Sequence, residues 1–205
     1  MNRLEPVLAE SDRFERSLTA LFEQHRWAAF SNEPRIRISI ASALLSLEHA
    51  GMVRLAFTSD SPNSGSALLR LQFECLLKSA WLLHAANGTQ ISKLADDLNP
   101  TSEQAAKNLP SVGEMLASLA ANAPPGLSLP LKQFHEASSR ALNSFVHGGI
   151  HPISRLNRGF PNELACQLVR LSNGLLHMGY RMLATLSGSP VLLTSVTQTY
   201  LAFIS

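Results

Sequence analysis

The chain has 205 residues, a length suited to one domain with a sizeable core, and 45% of them are hydrophobic. Charged residues make up 16%, well below the usual ~25%, so much of the chain is expected to be buried or hidden in an oligomer. A net charge of +2 excludes the dense basic footprint of a constitutive DNA binder, and two cysteines with no pattern between them exclude a disulfide scaffold or a cysteine zinc site. The cysteine usage fits a reducing cytoplasm. Only 6% of residues are aromatic. Leu and Ala must therefore carry the core, which favours helix packed on helix.

The N-terminal stretch has no apolar segment of the secretory kind. In chain order, a first helix is predicted over 5–30, with Leu18, Leu21 and Phe22 at helical spacing. Ser31 and Asn32 before Glu33 and Pro34 mark a stop and a restart. The second helix is predicted over 34–58, with Ile36, Ile40, Ala43, Leu44 and Leu47 as its apolar stripe. Glu48 and His49, beside Ser42 and Ser46, read as a polar core contact. A loop follows over 59–65.

The third helix, over 66–86, is apolar on most sides and should be the central buried one. It stops at Asn87–Gly88. Residues 91–123 should hold two short helices, split near Leu109, Pro110 and Ser111. Pro124, Pro125 and Gly126 form a turn, and a helix over 130–146 ends at Gly148 and Gly149. Pro152 then enforces a non-helical stretch. A long helix over 160–186 is opened by Pro161 and broken by Gly188, Ser189 and Pro190.

Residues 182–205 are uncharged, but Gly188, Pro190 and recurring Ser, Thr and Gln argue against a bilayer span. They read as the end of that helix followed by a short buried one over 191–204. The sum is an all-α, up-and-down helical bundle with inserted short helices, one domain over 1–205 with its core at about 35–186.

One segment carries chemistry: Ser138-Ser139-Arg140-Ala141-Leu142-Asn143-Ser144-Phe145-Val146-His147-Gly148-Gly149. Seven residues at ~100° each return Arg140 and His147 to nearly the same helix face, with Asn143 and Ser144 between them. A His at a helix C-terminus meets the negative end of the dipole, which favours its protonated form. An Arg can neutralise a phosphate in a bidentate way, and a His moves protons near neutral pH. The spacing alone is more commonly that of a polar, half-exposed helix side with His147 capping carbonyls.

Arg70, Glu74 and Lys78 are spaced by four on the third helix, with Trp81 near the same line. Such pairs commonly belong to a solvated face. On so apolar a helix they can instead line a cleft, where Glu74 pairs with Arg140 or orients His147. His147 and His151 are four apart, but Gly148 and Gly149 stand between them, so no helical zinc pair forms. No metal or cofactor is expected. His25, His84, His135 and His177 are isolated and carry no signal.

An Arg, a polar residue and a His closing a helix of a small α-bundle resembles the HEPN superfamily, whose hallmark is Arg, four to six residues, then His. Six intervene between Arg140 and His147. Ala141 departs from the polar residue that often follows the Arg, a role Asn143 can take. The segment Leu69-Arg70-Leu71-Gln72-Phe73-Glu74, with Trp81-Leu82-Leu83 and the later His147-Gly148-Gly149, is also similar to bacterial HEPN-like families.

The resemblance implies a metal-independent RNase in which the Arg140/His147 pairs of two protomers meet across a homodimer. Asn143, Ser144, Glu74, Arg70 and Lys78 would be supporting residues. It further implies a toxin–antitoxin or defence setting, with RNA as substrate, a cognate antitoxin as partner and no membrane role. The other implied reading is an inactive helical module that binds a protein partner or a nucleotide, with 191–204 as a candidate apolar interface.

Overall fold

A computed structural model describes residues 3–205 and is all-helical, with no strand among the described residues. The helices are α1 (Leu4–Gln24), α2 (Pro34–Thr58), α3 (Pro62–His84), α4 (Gly88–Ala95), α5 (Pro100–Ala106), α6 (Val112–Asn122), α7 (Pro125–Val146), α8 (Ile150–Arg158), α9 (Asn162–Leu186) and α10 (Pro190–Ile204). Residues 1 and 2, where the predicted domain starts, lie outside the described residues.

The predicted central helix is indeed central. In α3 the side chains of Leu69, Phe73, Leu76, Leu77, Ala80, Trp81 and Leu82 are all buried, against α2, α6, α7 and α9. Helix α9 is a second axis of the core, burying Leu168, Val169, Leu175, Leu176, Met182, Leu183 and Leu186. Apolar matter on so many sides leaves these two helices no stable place except the middle.

A polar network pins them. Gln72 Nε2 donates to the Ser172 carbonyl at 2.9 Å, and Ser172 Oγ donates to Gln72 Oε1 at 2.7 Å. Ser46 Oγ of α2 donates to the Gln72 carbonyl at 2.8 Å. Gln72 is fully buried, so each lost partner would cost about 1–3 kcal/mol, and the network fixes the register of α3 against α9.

Helix α1 closes over α9 and α10. Phe14 stacks on Phe203 with centroids 4.2 Å apart, and Phe22 meets Tyr180 edge-on at 5.1 Å. It ends at Gln24, not near residue 30 as expected. Arg26 turns the chain at φ +48°, and residues 27–30 run along the end of α9. Trp27 Nε1 donates to the Leu183 carbonyl at 2.7 Å, and the Phe30 amide to that of Leu186 at 3.0 Å.

Other boundaries shift for local reasons. Asn87, read as the stop of α3, is the N-cap of α4, with a reciprocal pair to Gln90 at 2.9 Å each way. Asn99 caps α5 and Ser111 caps α6, so the span 91–123 holds parts of three helices, not two. Helix α7 starts at Pro125, and Pro130 sits inside it. Pro152 does not prevent a helix: it is the third residue of α8, where amides have no intrahelical acceptor to lose. Helix α10 is one-sided, burying Leu192 and Val196 while Val191 and Leu201 stay exposed.

Among the described residues, α2 is the one helix long and apolar enough to cross a membrane, and a third of its most apolar window is buried within the bundle. The uncharged stretch 182–205, where the sequence poses that question, forms the end of α9 and the short α10. Glu48 faces solvent, not the core as expected, because the inner line of α2 is Ala43, Ser46, Ala50 and Val53.

Candidate functional site

Helix α7 turns Leu131, Phe134 and Leu142 into the core, which leaves its opposite side facing outward. Arg140, Asn143 and His147 lie on that outer side and are exposed. Among the described residues none of the three side chains has a hydrogen-bond or ion-pair partner. The helix ends as the sequence requires. His147 is the C-cap, Gly148 adopts φ +62°, and the Gly149 amide donates to the Ser144 carbonyl at 2.8 Å.

Ser144 belongs to this corner. Its Oγ accepts from the His151 amide at 3.1 Å and so satisfies one of the open donors at the start of α8. A Cβ on Gly149 would stand 2.6 Å from that oxygen, so the turn is built around the hydroxyl. Ser144 therefore joins two helices and is not a free hydroxyl beside Arg140.

Glu74 is claimed within its own helix, where Arg70 Nε donates to Glu74 Oε1 at 2.6 Å. Arg70 Nη1 also donates to the Ser139 carbonyl at 3.1 Å. The local pairing that the spacing favours is thus formed, and the alternative, Glu74 pairing with Arg140 or orienting His147, is not, because a partner four residues away meets its charge first. The strip instead clamps α3 to α7 one residue before Arg140. His135 adds to this clamp: its Nδ1 is 2.6 Å from Ser139 Oγ, and its ring stacks at 6.0 Å on Phe73.

Lys78 is half-buried, with no hydrogen-bond or ion-pair partner among the described residues. Burial pushes the nearby Cys75 thiol up, opposed by Lys78 and reinforced by Glu74 and Glu48, which disfavours its thiolate form.

Two features escaped the sequence reading. Helix α8 exposes Ile150 (77%), Ile153 (55%) and Leu156 (77%) in one row directly after His147, with Arg155 and Arg158 beside it. Second, Arg170, His177 and Arg181 share one face of α9, on a cavity against α7 and Tyr200 of α10. No group of three His, Cys, Asp or Glu side chains able to hold a metal occurs among the described residues.

The architecture defines an all-α helical bundle with a polar strip on one outer helix. Within that class, the chain matches the family model described as "Family of unknown function (DUF6988)" over residues 43–205, and it belongs to that family. The matched span opens inside α2 and includes every candidate residue named above. No curated protein and no solved structure matches the chain.

Proposed function

We propose that the chain is a HEPN-like, metal-independent endoribonuclease, cytoplasmic and homodimeric, of a toxin–antitoxin or defence system. The observation that carries the reading is the joint, unpartnered exposure of Arg140, Asn143 and His147 on one face of α7. In the reaction, the RNA 2′-oxygen bonds to phosphorus while the bond to the 5′-oxygen breaks. An imidazole of His147 takes the 2′-hydroxyl proton, or an imidazolium returns one to the leaving oxygen. Arg140 stabilises the crowded, negatively charged phosphate. Asn143 can hold a non-bridging oxygen, and Arg70 and Glu74 act only by holding α7 in place.

The apolar row of α8 supports the dimer, since it lies next to His147 and a second copy would cover both. The same row favours a second reading, a catalytically silent module that docks a protein partner such as an antitoxin.

The test is incubation of mixed RNA with the purified protein in EDTA, beside Arg140→Ala and His147→Ala. Both side chains are exposed, so stability should stay within about 0.5 kcal/mol of wild type. Cleavage by wild type alone, leaving 2′,3′-cyclic phosphate ends, is the expected result. Cleavage that survives His147→Ala, or no cleavage by the wild type, sinks the proposal and leaves the binding module.

A further inference from the structure

A cavity of about 520 Å³ lies between α7, α9 and α10, within the ~300–1,000 Å³ range of small-molecule sites. Its walls include Phe134, Leu175 and Met178, and no acidic side chain lines it. The polar groups on it are chiefly donors and cations. Arg170 stands exposed at the rim, Arg181 is half-buried, and His177 is 7% exposed.

His177 Nε2 and Arg181 Nε are both buried and have no hydrogen-bond partner. A buried polar atom left so costs about 1–3 kcal/mol, and native structures rarely keep one without a reason. The His177 ring is held flat against Tyr200, with centroids 4.0 Å apart and planes 7° apart, so it cannot swing out to water at little cost.

We propose that this cavity binds an organic carboxylate with an apolar body. The carboxylate would lie against Arg181 and His177 and the body against Phe134, Leu175 and Met178. The donor set selects an acceptor, and the guanidinium fork matches a carboxylate bidentately. Only one of the two cations is drawn into the cavity, which suits a monoanion better than a phosphate dianion. Burial and the neighbouring Arg181 hold His177 well below its usual range, so its ring adds no second buried charge beside the guanidinium. The site is lined by the earlier turns of α7, from Gly126 to Ser138, does not include Arg140, Asn143 or His147, and does not depend on the nuclease reading.

Isothermal titration calorimetry with octanoate, octanol and acetate tests it, on wild type, Arg181→Gln and Arg170→Gln, each checked for folding by circular dichroism. The expected result is one octanoate per chain, with octanol and acetate each at least about tenfold weaker. Arg181→Gln should weaken octanoate about tenfold and the exposed Arg170→Gln about threefold. Octanol binding as tightly as octanoate would overturn the proposal, as would no octanoate binding at millimolar concentration. So would equal octanoate affinity in both variants and the wild type. If Arg181→Gln fails to fold, unchanged affinity in Arg170→Gln alone, or octanol matching octanoate, still overturns it.

Discussion

His177 should make the bundle acid-sensitive in a way that one substitution removes. Desolvation first, and Arg181 second, lower its pKa from 6.5 to about 4. In the fold the ring is therefore neutral where the unfolded chain already binds a proton. The stabilising contribution is fully present above pH 6.5 and is lost as the pH falls from 6.5 through about 4. The full span, 6.5 minus 4, is worth about 3 kcal/mol at about 1.4 kcal/mol per unit. Most of the accessible part falls early, about 1 kcal/mol between roughly pH 7 and 5.5, and about 2 kcal/mol by roughly pH 5.

Carboxylates also titrate in that range, so the quantity to measure is a difference. Urea unfolding of wild type and His177→Gln, followed by circular dichroism at several pH values, gives it. The lost stack on Tyr200 adds a constant offset and leaves the slope untouched. The wild type should lose about 1 kcal/mol more than the variant between roughly pH 7 and 5.5. A difference that stays flat with pH would show that His177 titrates as a solvated imidazole, and the burial argument would fall with it.

Two glycines give independent checks on the packing. A Cβ on Gly65 would stand 2.8 and 2.9 Å from the edge of the Phe57 ring, which has no slack to yield, so Gly65→Ala should cost about 1–3 kcal/mol despite a helix-propensity gain of at most ~1 kcal/mol. Denaturant unfolding that finds the alanine variant more stable would refute this close approach of α2 and α3. Gly148, at φ +62° with open space around it, should cost about 1 kcal/mol as Gly148→Ala, lowering the Tm by about 2–4 °C; an unchanged melting curve would refute the left-handed turn after His147.

The elements whose cause is local were the ones legible in the sequence. Helix α2 was read at its observed bounds because Pro34 and the Ser59–Asp60–Ser61–Pro62 run punctuate it on both sides. The end of α7 was read because His147–Gly148–Gly149 has one stable backbone solution. Asn87–Gly88 was misread since an Asn that caps a start looks like one that ends a helix. Pro152 was misread because its cost depends on its position within a helix, not on its presence. Of the strip Arg70, Glu74 and Lys78, the local pairing that the spacing favours is formed between Arg70 and Glu74, and the alternative pairing of Glu74 with Arg140 is not. Glu74 found Arg70 locally, while the contact to Ser139 depends on how two distant helices pack. Arg170, Gly174, His177 and Arg181 fall at intervals of four, three and four, a polar line on an apolar helix. That line is visible in the sequence only when the four positions are taken together, since each alone carries no signal.

The contact of α1 with α10 has a consequence for how the chain assembles. Val7 and Glu10 share a small cleft with Ile204 and Ser205, so the two extremes of the described chain meet. Topologically the molecule is a ring of helices closed without a covalent bond. Closing it brings together residues almost a full chain length apart, the costliest loop in the fold, and its reward is the aromatic stack of Phe14 on Phe203. On that ground the seam is expected to open before the core around α3 and α9, a zip fastened over it.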